Sequence, residues 1–259
     1  MTELVDRSIA ALRANHDELK AVLADVPPEK LTGPSGAAEW TVADALSHLG
    51  SGAEITGNTF ASSINGAPSG EDNPTIWDRW NAASPEEQAS WFLDHDERLV
   101  SSLEALTPEQ RESVTIDMGF LPEPVPLATA VGMRLNEVAA HSWDVRVGLD
   151  PDATLHDESA ALLAEHFAGG LGFLLGFSAK ADQLSQQAIV KLDDYEIAID
   201  ENVRVVAGAS EGETATFDGP LEAGIRLLSG RLKPEYTPAG VAVTGNVTLE
   251  DLRKVFPGY

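Results

Sequence analysis

The sequence contains no cysteine at any of its 259 positions. That absence excludes disulfides, thiolate metal ligands and a cysteine nucleophile together, so any sulfur chemistry depends on a thiol brought in from outside. Basic residues are scarce: 17 Lys and Arg stand against 42 Asp and Glu, a formal net charge of −25. Residues 1–150 and 151–259 are each acidic, and neither has the basic footprint that nucleic acid or an anionic membrane requires. An anionic ligand must then be held by a local cation, either a metal ion or one of the few arginines. No apolar run approaches the ~18 residues of a membrane span. The N-terminal stretch MTELVDRSIAALRANHDELK is charged and amphipathic and lacks the apolar core of a signal peptide. The expectation is a soluble, cytoplasmic protein. Internal repeats, low-complexity tracts, Walker loops, GxGxxG and GxSxG are all missing from the sequence.

What is present is a chain with 43% hydrophobic residues, enough to bury a core. Its length suits one large domain or two modest ones. Residues 3–25 read as a first helix with Leu4, Ile9, Leu12, Leu19, Val22 and Leu23 inward, ended by Asp25–Pro28. His16, between Asn15 and Asp17, reads as a surface histidine. A Gly/Pro/Ser-rich loop, 31–39, leads into Trp40-Thr41-Val42-Ala43-Asp44, where Thr41 and Asp44 suit a reciprocal cap. The helix that follows carries Val42, Ala45, Leu46, Leu49 and Ala53 as its stripe. His48 lies about 120° from the centre of that stripe, flanking the core.

Residues 61–83 read as a loop with a helical turn around Ile76–Trp80. Ser84-Pro85-Glu86-Glu87 is a strong helix start, and the helix runs to about Leu106 with Trp91, Phe92, Leu99 and Leu103 inward. His95, among Asp94, Asp96 and Glu97, reads as surface. Residues 107–124 form a second connection. A fourth helix is the stretch Met133 to Gly148, its apolar stripe running Leu127, Val131, Leu135, Val138 and Val145. Arg134, Glu137, His141 and Asp144 share the flank beside it. Glu137 and His141 are one turn apart, so they suit either an ordinary solvated pair or two ligands of one ion. Two residues on one helix cannot close a metal site, and a third ligand must come from elsewhere. Four amphipathic helices with a long crossover make a bundle the economical solution.

The texture changes at Asp150-Pro151-Asp152. A helix over Glu158–Phe177 precedes strands at 188–192, 195–200, 203–207, 214–217 and 241–244, with short helices over 220–229 and 248–255. This is an α+β second domain, 151–259, with an antiparallel sheet, after a helical domain over 1–150. Gly169-Gly170-Leu171-Gly172 falls inside a helical pattern and follows no strand, so close helix packing explains it better than phosphate binding.

Taken together, the sequence resembles the mycothiol-dependent maleylpyruvate isomerase family. The carriers are Trp40-Thr41-Val42 leading to His48-Leu49, then Arg134-x-x-Glu137-x-x-x-His141-x-x-Asp144. In the second half they are Gly219-Pro220-Leu221-Glu222-Ala223 through Leu227-Leu228-Ser229-Gly230-Arg231, and the final Val243-Thr244-Gly245. The resemblance implies a DinB-like metal-binding four-helix bundle followed by a sterol-carrier-like α+β domain, in a monomer. It implies His48, Glu137 and His141 as ligands of a divalent metal, with zinc expected and Fe(II) or other divalent ions also accepted by this set. Arg134 and Asp144 are then cast as orienting the ligands or a substrate carboxylate, and a plain ion-pair network along one face explains them equally well. Arg231 is cast as a clamp for a carboxylate of the thiol or the substrate, whereas Arg226 reads as surface.

The implied activity uses mycothiol as thiol cosubstrate on a small anionic or electrophilic partner. A thiolate adds to the double bond of an anionic cis-enedione such as maleylpyruvate, the resulting single bond rotates, and expulsion of the thiol leaves the trans isomer. Two alternatives stay open at this point. One is a mycothiol S-transferase that leaves the thiol on its electrophile, and the other a non-catalytic protein that binds a metal or small molecule.

Overall fold

The computed structural model describes residues 2–68, 70–208, 210 and 212–258. The chain divides after Ala153 into two compact units. In the first, four long helices make the bundle: α1 (Thr2–Ala24), α3 (Val42–Asn65), α5 (Pro85–Glu104) and α7 (Leu127–Leu149), with a one-turn helix α2 (Pro28–Leu31) between the first two. Both α1 and α3 pack on α5 and α7. Capping boxes start α3 and α5: Thr41 and Asp44, like Ser84 and Glu87, exchange side-chain and backbone hydrogen bonds, satisfying two amides that the helix leaves open.

The connections hold more structure than their composition suggests. The stretch read as a loop over 61–83 gives its first five residues to α3, which ends on Gly66 in the left-handed region (φ 65°), and nine more to α4 (Asn73–Asn81). Trp80 of α4 is fully buried and donates through Nε1 to Glu54. Gly50 makes that possible, since a Cβ there would lie 2.2 Å from the Trp80 ring. The second connection contains α6 (Pro108–Ser113) and a two-stranded antiparallel ribbon, β1 (Thr115–Ile116) with β2 (Val125–Pro126).

Three side chains read as surface are not. His16 is 1% exposed, with Nδ1 3.0 Å from Asp96 and Nε2 3.1 Å from Glu97. His95 is half-buried, edge-on to Trp80, and burial pushes its pKa down. In the second unit Arg226 is 1% exposed and pairs with Glu222 through two nitrogens, at 2.8 and 2.9 Å. Each has a buried partner from elsewhere on the fold or one turn away, which is the condition for burying a charged or polar group.

The bundle also predicts its own acid response. Arg13 makes a two-nitrogen contact with Glu97 at 2.8 and 3.0 Å and holds that carboxyl at about 2, well below the usual glutamate range. The folded form therefore stays ionised where the unfolded chain already carries a proton, so stability rises with pH across this window. The contribution is complete above the ordinary glutamate value and is lost as pH falls towards 2. The Glu97 side chain is 41% exposed, so salt screens the pair. In urea titrations the midpoint of the wild type should fall more steeply over this range than that of Glu97→Gln. Parallel slopes would remove Glu97 from the account.

The second unit begins with α8 (Asp157–Phe167) and α9 (Leu175–Ser178), then a five-stranded sheet of β3 (Ala188–Leu192), β4 (Tyr195–Ile199), β5 (Val203–Ala207), β6 (Ala215–Asp218) and β7 (Ala242–Gly245) in the order β5-β4-β3-β6-β7. Helix α10 (Leu221–Leu228) lies between β6 and β7 in the chain, and α11 (Leu249–Val255) follows. Neighbouring strands run antiparallel except β3 with β6, which are parallel. The helix expected over 158–177 is broken: α8 stops at Phe167, and Gly169, Gly170 and Gly172 carry the chain through a turn before α9. Glycine costs about 1 kcal/mol in a helix and supplies no packing to recover it. Among the described residues no single helix is long and apolar enough to cross a membrane; only a pair bent by 82°, α8 with 172–178, passes on length and composition.

Candidate metal centre

The site is assembled by two helices and one loop. Helix α7 is buried on nearly every side, polar residues included: Arg134 is 4% exposed and Asp144 0%. The glycine-rich loop is the reason at its C-terminal half. Gly36 donates its backbone N–H to the Asp144 carbonyl at 2.8 Å, and a Cβ on Gly36 would come within 2.9 Å of Val147, Trp143 and Asp144. Gly148 answers from the helix, where a Cβ would meet the Pro34 carbonyl at 2.4 Å. Ser35 donates to the Trp40 carbonyl at 2.9 Å, closing the loop into a small hairpin. That hairpin delivers Trp40 to the start of α3.

His48 of α3 and Glu137 and His141 of α7 converge beneath Trp40. Their ligand-type atoms all lie within 4.8 Å of one another. His48 Nε2 is 3.1 Å from Glu137 Oε2, and His141 Nε2 is 3.7 Å from the same oxygen. A tetrahedral ion with ligand bonds of about 2.1 Å separates its ligands by about 3.4 Å, and the two distances bracket that value. The Trp40 indole stacks on His141 (centroids 5.5 Å apart, 23°) and lies tilted over His48 (5.2 Å, 49°). The His48 and Glu137 side chains are 40% and 44% exposed, so the cluster is open on one side. An open cleft of about 520 Å³ adjoins it, lined by Glu39, Trp40, Asp44, His48, Ser51, Trp77 and Asn81. A cleft of this volume is large enough for a small-molecule ligand.

Asp144 stands directly behind His141. Its Oδ2 accepts from His141 Nδ1–H at 2.8 Å, which fixes the tautomer and turns Nε2 towards Glu137. Removing this partner from a metal-binding histidine typically weakens binding about 10–100-fold. Asp144→Asn should show that loss in a zinc competition titration while keeping the helical circular dichroism. Wild-type affinity in the variant would deny Asp144 the role.

Arg134 does not join the cluster. Its Nη2 donates to Asp96 at 2.8 Å and to the Leu49 carbonyl at 3.0 Å, buried within the bundle, and burial keeps it from a substrate carboxylate. Arg231 lies in the second unit, half-buried just after Gly230, and Nη1 donates to the Ser229 carbonyl at 3.1 Å. Gly230 sits at φ 70° against Gly258, where a Cβ would meet backbone at 2.2 Å, so the turn before Arg231 admits only glycine. Asp96 is marked in the sequence only by its place between Phe92 and Leu99 on the apolar stripe of α5. Trp40 was visible there as a motif residue only.

A four-helix bundle holding two imidazoles and a carboxylate on facing helices, followed by an α+β unit, is the class of protein that this fold and site define. The model of the mycothiol maleylpyruvate isomerase N-terminal domain matches residues 12–146, and the chain belongs to that family. Two uncharacterized proteins of Mycobacterium tuberculosis, MT0763 and Rv0738, are each 28% identical to it over 173 residues, 64% of this chain and 84% of theirs. Crystal structures of the mycothiol-dependent maleylpyruvate isomerase and of a histidine-to-alanine mutant of it are similar in fold. They give TM-scores of 0.64 and 0.62 at 15% identity, over 94% of this chain and of each of theirs.

Proposed function

We propose that this protein is a thiol-dependent isomerase, using mycothiol and a divalent ion held by His48, Glu137 and His141 to convert a small cis electrophile of the maleylpyruvate type to its trans isomer. The observation that carries the reading is the spacing of the three ligand atoms, within 4.8 Å of one another and open on one side, in a chain of this family. When bound, zinc or a similar ion lowers the pKa of a thiol that reaches its open position, making thiolate available at neutral pH. The residues do the rest. Asp144 keeps the His141 proton on Nδ1, and Trp40 covers one face of both imidazoles against water. The absence of cysteine fits a nucleophile that arrives with the cosubstrate. Arg231 is proposed to bind a carboxylate in the second unit; Arg231→Ala should raise KM with metal content unchanged, and unchanged kinetics would retire it.

The test is direct. Metal-loaded protein is incubated with mycothiol and maleylpyruvate, following both the trans product and the thiol. Trans product with no thiol consumed supports the reading. Stoichiometric conjugate would replace it with S-transfer, and no turnover with either maleylpyruvate or a generic electrophile would leave a binding protein.

A further inference from the structure

Behind the triad lies a buried cross-link that the chemistry above does not use. One nitrogen of Arg134, Nη2, donates both to Asp96 Oδ1 at 2.8 Å and to the Leu49 carbonyl at 3.0 Å. Leu49 is the residue after His48 on α3, and Arg134 stands less than one turn before Glu137 on α7. The guanidinium therefore spans the two helices that carry the three triad residues, at the level of the triad. Gly52 leaves it room, since a Cβ there would be 3.1 Å from Nη1. Asp96, 1% exposed, is held in turn by His16 of α1, whose Nδ1 is 3.0 Å from its other oxygen. All four long helices meet in this one network.

Stability alone is a poor explanation for it. Taking a guanidinium and a carboxylate out of water costs about as much as their attraction returns, and apolar side chains of similar volume serve a core as well or better. Apolar packing holds one helix against another through many non-directional contacts, each of which changes little on a small slide. A bond from α7 to a carbonyl of α3 is directional and resists such a slide. Ligand distances to a metal must be right to about 0.2 Å, so such a slide matters at the triad long before it matters to the core.

We propose that Asp96 and Arg134 are positioning residues that set the register of α3 against α7, and thereby the affinity of His48, Glu137 and His141 for a divalent cation. The inference rests on the metal reading of the triad. The experiment titrates metal-free protein with Co(II), reading affinity and visible absorption in the wild type, Glu137→Ala, Asp96→Asn and Leu103→Ala. Leu103 is a buried residue of α5 away from the network and serves as a control for lost stability. Asp96→Asn is expected to bind about 10–100-fold more weakly, with an altered cobalt spectrum, and Leu103→Ala to bind as the wild type does at a comparable loss of Tm. Arg134→Lys, which keeps the charge but ends one bond short of the Nη2 position that meets both acceptors, should act in the same direction if Asp96→Asn does not fold. Wild-type affinity and spectrum in Asp96→Asn or, failing that variant, in Arg134→Lys would overturn the proposal, as would equal weakening in Leu103→Ala. A wild type that binds no cobalt, or binds it no better than Glu137→Ala, would instead remove the metal reading and this inference with it.

Discussion

Glu137→Ala is expected to lose the proposed divalent ion and, with it, the proposed thiol-dependent turnover. Glu137 is the residue common to both close contacts of the cluster, 3.1 Å from His48 and 3.7 Å from His141, and it supplies the only negative charge among the three. Zinc sites with four protein ligands bind with roughly 10–16 kcal/mol, so one ligand accounts for roughly 3–4 kcal/mol, or about 10²–10³ in affinity. Elemental analysis of the purified wild type should show about one divalent ion per chain, and the variant should show almost none after dialysis. His48→Ala should behave the same way, and its fold should survive because the side chain is 40% exposed. Full metal content in both variants would refute the triad. Glu137→Gln, which keeps the shape and loses the charge, should fall between.

The second large effect belongs to the other unit. Glu222→Ala leaves Arg226, 1% exposed, without the carboxylate that meets it through two nitrogens. It also removes the acceptor for the Leu155 amide at 3.3 Å. Breaking a buried pair by deleting one partner costs about 3–5 kcal/mol. For a unit of this size that corresponds to a fall in Tm of roughly 13–22 °C. Calorimetry should find the loss in the transition that unfolds the α+β unit. A fall of only a few degrees would mean that Arg226 finds water or another acceptor on relaxation. Arg226 still donates to the Tyr236 carbonyl at 2.8 Å, so the variant is expected to be destabilised rather than scrambled.

These two expectations differ in how far the sequence led to them. The Glu137–His141 pair follows from helical spacing, but its completion by His48 came from family resemblance, since spacing on one helix says nothing about what another helix brings. Glu222 and Arg226 have the same i, i+4 spacing, yet the sequence alone points to a surface Arg226. Periodicity on an eight-residue helix identifies faces and does not reveal that neighbours cover all of them, as they do for α10. His16 and Asp96 show the same limit at longer range. Each lies on the apolar stripe of its own helix, and each looks anomalous until the partner 80 residues away is known. The glycine run at 169–172 fails for a different reason. Its helical pattern was real, but three glycines remove the side chains that would have held the helix together.

The amino-acid sequence by itself determined the chemical inventory and the local grammar. It set a chain without thiols and poor in cations, with helices begun by Thr41–Asp44 and Ser84–Glu87, and strands in alternating runs between 188 and 245. These are short-range properties, decided by hydrogen bonds and side-chain periods within a few residues. Only the tertiary structure decided which charges are buried and which side chains meet: that Arg134 turns inward to Asp96 and Leu49, that Asp144 grips His141, and that Trp40 lies over both histidines. The physical reason is that burial of a polar group is favourable only with its partner in place, and here the partners come from separate helices and a loop.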